Sequence, residues 1–322
     1  MSLLLPWRTI GHHRQKQELE KNIHENNISH AYLFSGPSHI GKLHFAKELA
    51  LALMCNDNMC RRCDTCSQIM HLQHSDVLIL DMLFVKGGEE NWETIGKYSN
   101  IPQNHRSSGG GVKTDIIGIE SIRIIQKLLQ EKSLGKYKIC IISNIERMKQ
   151  EAATAFLKSI EEPPKNVLFL FTTSRESNIL PTFMSRLRKI SFNILDTQLI
   201  TEHIDEKHAK EILSYSQGRM GIALDLNESP EKLQHMKESY QEISTFFHSM
   251  SIIKRFAFAE KLSKNIDDIH DFMTHSLLYL RSQLDAENIK TALLIEQFEI
   301  TQEYIKKNVN KRLALENLFL EI

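Results

Sequence analysis

Short apolar runs alternate with helical stripes over roughly the first 195 residues of the chain. AYLFSG (31–36), DVLILDML (76–83), KYKICIIS (136–143) and NVLFLFTT (166–173) are nearly uninterrupted, and RKISF (188–192) is a candidate fifth run. Runs of this length and composition mark strands buried on both faces. Between them, apolar residues recur at helical spacing. Leu43, Ala46, Leu49, Ala50 and Leu53 form one stripe, and Ile122, Ile125, Leu128 and Leu129 a second. Ala153, Phe156, Leu157 and Ile160 form a third, stopped by Pro163 and Pro164. Strands separated by helices predict a parallel sheet covered on both sides. Residues 84–113 carry little periodicity and end in a polar, glycine-rich stretch, which reads as an inserted surface loop.

Beyond about residue 195 the strand signal stops. Residues 197–226 suit three short helices punctuated by Gly218 and Gly221. Ser229-Pro230 is an N-cap and first-turn pair. It opens a long stripe of Leu233, Met236, Tyr240, Ile243, Phe247 and Met250. Further stripes follow at Phe272, Met273, Leu277, Leu280 and Leu284, and at Leu313, Leu315, Leu318 and Phe319. These read as the core of a helical bundle.

The whole chain of 322 residues is long enough for two or three domains, and 41% apolar with 25% charged residues is ordinary for a globular protein. Lys plus Arg balances Asp plus Glu at 40 each, which argues against bulk nucleic-acid binding by a global basic field. Any such contact must be local, and Arg186, Arg188 and Lys189 are the one patch to suspect. No apolar run approaches the roughly 20 residues of a membrane span. The first residues also lack the pattern of a signal peptide. A cytoplasmic protein with no membrane contact is expected.

SGPSHIGKL (35–43) fits a phosphate-cradling loop at Gly36, Gly41 and Lys42, and it sits between a strand and a helix as such a loop must. The next residue should be a hydroxyl that holds magnesium, yet it is Leu43. KICIIS then ends in Ser143-Asn144, where hydrolysis calls for acidic residues. Glu146, two residues on, is a substitute of different reach.

Four of the five cysteines, Cys55, Cys60, Cys63 and Cys66, crowd into CNDNMCRRCDTC, while Cys140 sits in an apolar run. In a reducing compartment such a cluster reads as metal ligands before disulfides. Four thiolates suit tetrahedral zinc; an iron-sulfur cluster or free thiols are the alternatives. In SRLRK (185–189), an arginine at a sheet's edge can reach a phosphate on a neighbouring subunit.

SHAYLFSGPSHIGK, the cysteine insert after the first of these helices, KYKICIISNIERMKQEAATAFLKSIEEPPKNVLFLFTTS and LPTFMSRLRKISF together carry a resemblance that covers nearly the whole chain. The sequence resembles the delta-prime subunits of the bacterial DNA polymerase III clamp loader, within the AAA+ group. The resemblance implies an α/β fold: an AAA+ P-loop-type parallel sheet domain (1–194) with a zinc knuckle at 55–66, a helical lid (195–228) and an all-α collar (229–322). It also implies a non-hydrolysing stator that joins gamma/tau-type ATPase and delta subunits in a five-membered ring. That ring would meet the sliding clamp and primed DNA. In it Arg186, within Ser185-Arg186-Leu187, would serve the neighbour's nucleotide in trans.

Hydrolysing relatives carry Ser or Thr, Asp-Glu and a lid arginine where this chain has Leu43, Ser143-Asn144 and Gly221. The resemblance therefore implies weak ATP binding at Gly36, Gly41 and Lys42 if any, and no hydrolysis. Zinc is the cofactor implied, with Cys55, Cys60, Cys63 and Cys66 as ligands. The gap between the first two cysteines is short for the family, which makes His71 or His74 a replacement ligand. The alternative is a catalytically active gamma-type ATPase subunit. A zinc-bearing nucleic-acid binder is the third class.

Overall fold

The computed structural model of the chain describes residues 5–81, 99–101, 116–284, 289–306 and 309–322. It divides into two compact units, Met1–Leu199 with Arg219–Gly221, and Ile200–Gly218 with Ile222–Ile322.

The first unit is built on five strands: β1 (Ala31–Ser35), β2 (Val77–Leu80), β3 (Lys138–Ile142), β4 (Val167–Thr173) and β5 (Arg188–Ser191). Their order is β2-β3-β4-β1-β5 and every pairing is parallel. The first four are buried throughout, as continuous apolar runs require when helices cover both faces. Alternate side chains separate into two cores. Tyr32, Phe34, Ile79, Ile139 and Leu168 meet α2 (Lys42–Met54) on one face, where Phe34, Phe45 and Phe192 pack edge to face. Leu33, Leu78, Cys140, Phe169 and Phe171 meet the other pair of helices, Ile119–Gln130 and Gln150–Glu161.

Two helices escape the sequence pattern. α1 (His13–His24) buries only Leu19 and Asn22, and α3 (Asp64–Met70) is two turns long. The expected insertion at 84–113 lies outside the described residues except for 99–101. There Asn100 runs along the outer edge of β2: its amide donates to Ile79 O at 3.1 Å, and its side chain pairs with Ile79 N and Val77 O, both at 2.7 Å. An otherwise open edge is thereby satisfied. The apolar run read as 76–83 is shorter as a strand, and its Asp81 falls just past the end of β2.

The second unit is helical: Ala209–Ser216, Pro230–His248, Ile252–Leu262, Ile266–Ser282, Ile289–Lys306 and Lys311–Leu320 are its longer elements. Ser229 caps Pro230–His248 by accepting from Lys232 N. Phe246, Phe272, Phe298 and Phe319 centre the main core. Leu284 and Leu313, part of the apolar stripes, are instead exposed at 49% and 60%. No helix of the described residues is long and apolar enough to cross a membrane.

Candidate functional site

Because all five strands are parallel, the carboxyl ends of β1, β2, β3 and β4 share one rim, where α/β sheets bind ligands. A cleft of about 520 Å³ lies there, bordered by Lys42, Leu43, Asp81, Asn144, Glu146 and Thr172 among others. The loop between β1 and α2 forms one wall. Gly36 is obligatory in it, because a Cβ there would lie 2.2 Å from Phe192 O. Gly41 adopts φ 96 and opens α2. The structure therefore brings Gly36, Gly41 and Lys42 together as a phosphate loop would.

Lys42 is nearly buried, and its ammonium donates to the loop's own carbonyls, Gly36 O at 2.8 Å and Pro37 O at 2.6 Å. Burial pushes it down to about 8, with Glu146 opposing. Leu43 packs against the core and brings no hydroxyl to the cleft. Gly221 N donates to His39 O at 2.7 Å, and a Cβ at 221 would come within 2.6 Å of that oxygen. No side chain fits there while the loop keeps this shape.

The far wall is polar and already engaged. Asn144 N donates to Thr172 Oγ1 at 3.0 Å, and Arg175 N donates to Thr173 Oγ1 at 3.0 Å. Both threonines are thus structural acceptors. Ser143 Oγ donates to Asp81, an acidic residue at the rim that the sequence analysis overlooked; its signal was a lone carboxylate closing an apolar run. Glu146 Oε1 accepts from the amide and hydroxyl of Ser174 at 3.0 and 2.8 Å, and its Oε2 is buried without a hydrogen-bond partner among the described residues.

The cysteines gather beyond the C-terminal end of α2, which Cys55 caps, at the helix end opposite the phosphate loop. Cys55, Cys60, Cys63 and Cys66 place their sulfurs within 4.8 Å of one another. Cys55 Sγ lies 3.7 Å from Cys60 Sγ and 3.9 Å from Cys63 Sγ, too far for disulfides. A tetrahedron with metal–sulfur bonds of about 2.3 Å has edges of about 3.8 Å, so the four residues could hold one ion and are compatible with zinc. Amides of Arg62 and Cys63 lower the Cys60 thiol to about 6, whereas burial raises Cys66. The turn between them runs through left-handed residues Asn58, Met59 and Arg61. His71 and His74 are engaged elsewhere: His71 Nδ1 bonds Ser67 O at 2.8 Å, and His74 Nδ1 accepts from Asp76 N at 3.1 Å.

Arg186 stands apart from the cleft. It follows the single turn Pro181–Met184, and its side chain is about one-third exposed. Its guanidinium donates to Thr182 O at 2.5 Å and Ser185 Oγ at 3.1 Å, and pairs with Glu161 at 2.5 Å. Arg188 pairs with Glu18 at 2.9 Å, and Lys189 with Glu176 at 2.6 Å. Each member of the suspected nucleic-acid patch therefore has a carboxylate partner.

A parallel sheet in this order, with a phosphate-type loop after its first strand, defines a protein of the AAA+ class. A DNA polymerase III gamma subunit-related protein from Thermotoga maritima MSB8 shares the fold, with a TM-score of 0.52 and 20% identity over 94% of this chain and 97% of that one. Residues 11–196, more than half of the chain, match the family model described as DNA polymerase III, delta subunit. The chain belongs to this family of clamp-loader subunits. It is 27% identical to the DNA polymerase III subunit tau of Bacillus subtilis (strain 168) over 66% of this chain and 33% of that protein. It is 24% identical to subunit delta' of the same organism over 66% of this chain and 58% of that one. The matched stretches thus span about a third of tau and somewhat over half of delta'.

Proposed function

We propose that the chain is a delta-prime-type stator of the DNA polymerase III clamp loader: a cytoplasmic subunit that does not hydrolyse ATP and lends Arg186 to the nucleotide of a neighbouring ATPase subunit. The observation that carries this reading is the state of its own cleft. Leu43 supplies no magnesium ligand, Asn144 supplies no carboxylate, and Gly221 leaves no room for an arginine beside His39. Catalysis of phosphoryl transfer depends on such groups for positioning and charge stabilisation. Arg186, by contrast, keeps a partly exposed guanidinium.

The remaining parts of the reading follow the same division of labour. Residues 1–194 form the nucleotide-binding-like domain, 195–228 a lid and 229–322 a collar. Gamma/tau-type and delta subunits complete a ring of five that acts on the sliding clamp and primed DNA. Assembly through the last helices is supported by Ile289, Leu293, Leu313 and Leu320, exposed at 73%, 55%, 60% and 60%. Exposed apolar surface of this kind marks interaction sites. Cys55, Cys60, Cys63 and Cys66 hold zinc; four thiolates leave no open position for catalysis, so its part is structural.

A gamma-type ATPase is the second reading, favoured by Asp81 and Glu146 at the cleft. The two separate on one preparation. The isolated chain should show no magnesium-dependent ATPase, and Arg186→Ala in the reconstituted loader should lower turnover at the served site on the order of a thousandfold with assembly intact. An active isolated chain, or a reconstituted rate indifferent to Arg186→Ala, rejects the stator reading.

A further inference from the structure

Glu48, on the helix that follows the phosphate loop, is 1% exposed. A buried carboxylate is costly unless it is well supplied with donors. Glu48 has four: the amides of Arg8 and Thr9, both at 2.8 Å, Thr9 Oγ1 at 2.5 Å, and the Arg61 guanidinium. Three of these come from a strap, residues 5–12, that is distant in sequence, and the fourth comes from inside the cysteine turn.

Both ends of this arrangement reach a site. Arg61 lies between Cys60 and Cys63 in a left-handed conformation, φ 58, and its Nη2 also donates to Pro6 O at 3.0 Å. The strap then runs on to the phosphate loop. Trp7 stacks on Phe45 at 4.8 Å, and His12 Nε2 lies 3.1 Å from Ile40 O. The Thr9 methyl faces Gly41, where an added Cβ would meet it at 3.7 Å.

We propose that Arg61 and Glu48 are positioning residues that couple occupancy of the cysteine cluster by zinc to the seating of the strap 5–12 on the phosphate loop. This rests on the reading that the cluster binds zinc. The physical reason lies in the turn. Left-handed backbone is strained at residues that carry a Cβ, and Asn58, Met59 and Arg61 all adopt it. Bonds from four sulfurs to one ion would offset that strain. Without them the turn relaxes, Arg61 loses its reach, and Glu48 is left buried with its guanidinium partner withdrawn. Arg8 and Thr9 are the first amides to feel the loss.

Amide hydrogen exchange on the full chain tests this, with zinc content measured in parallel. Wild type, Arg61→Gln and Arg61→Lys are compared zinc-loaded and after chelation, with the β3 amides 138–142 as an internal reference. In wild type, zinc loss should speed exchange in residues 5–12 at least about tenfold while β3 stays protected. Arg61→Gln should still bind one zinc, exchange fast in the strap in both states, and lose the zinc dependence; Arg61→Lys should restore part of it. The proposal is overturned if strap exchange ignores zinc in wild type, if the zinc dependence survives in Arg61→Gln, or if β3 opens together with the strap. A chain that takes up no zinc removes the metal reading itself, a result the content measurement reports separately.

Discussion

At the scale of single residues, the absence of a hydroxyl at position 43 was legible in the sequence, but the behaviour of Lys42 was not. A motif gives spacing, whereas the partner of a buried ammonium depends on which acceptors the folded loop presents. Here they are the carbonyls of Gly36 and Pro37. Lys42 is held at about 8 against an ordinary 10.5. Between those values the unfolded chain binds the extra proton, so stability should rise as pH climbs through that window; below about 8 both states are protonated and the burial penalty is full. Lys42→Met should therefore stabilise the protein at pH 7 by about 1–3 kcal/mol and remove Lys42's share of the alkaline rise, leaving that of Lys16 and Lys47, which burial also pushes down. Urea unfolding of both proteins at pH 7 and pH 10 measures it; a variant less stable at pH 7 would show that the two carbonyl bonds outweigh burial. Gly221 teaches a related lesson. The sequence showed that no arginine was there, and the 2.6 Å approach of His39 O explains why none fits.

Among the elements, the first four strands were easy to read because each is buried on both faces, whereas β5 buries only Ile190. α1 was not easy to read, since a helix that buries only Leu19 and Asn22 leaves almost no stripe. The short α3 offers too few turns for a period. Long-range polar anchors were equally invisible. Asp76, 1% exposed, accepts from the amides of Leu134 and Gly135, both at 2.8 Å, and so fixes the loop that feeds β3. Asp76→Ala should cost about 2–4 kcal/mol in denaturant unfolding. Leu134 and Gly135 amides should then exchange faster than the change in global stability requires; equal protection in the variant would count against the anchor.

For the whole molecule, periodicity found the helical bundle but could not separate its core from its outer faces. Leu313 sits in the same stripe as Leu315, yet one is 60% exposed and the other fully buried. A face covered by another subunit and a face covered by the chain's own core share the same pattern. Leu294 and Phe298 point inward, while Ile289 and Leu293 on the same helix are exposed. Leu293→Glu combined with Leu313→Glu should leave the melting temperature of the isolated chain nearly unchanged, within about 0.5 kcal/mol of stability per site. The same double variant should fail to enter the reconstituted loader. Normal incorporation on size-exclusion chromatography would move the assembly surface elsewhere.

The pairing of Arg186 with Glu161 has a consequence for the protein outside any assembly. Glu161 ends its helix, where the backbone dipole disfavours a carboxylate and a nearby cation relieves it. A guanidinium held there is chemically quiet: stray nucleotides, nucleic acids and other polyanions of the cell must first displace an anion already in place. A correctly docked phosphate would make that exchange one negative partner for another, with little change in exposed charge. On the stator reading proposed above, Arg186 would exchange Glu161 for the phosphate only where docking geometry makes that swap worthwhile.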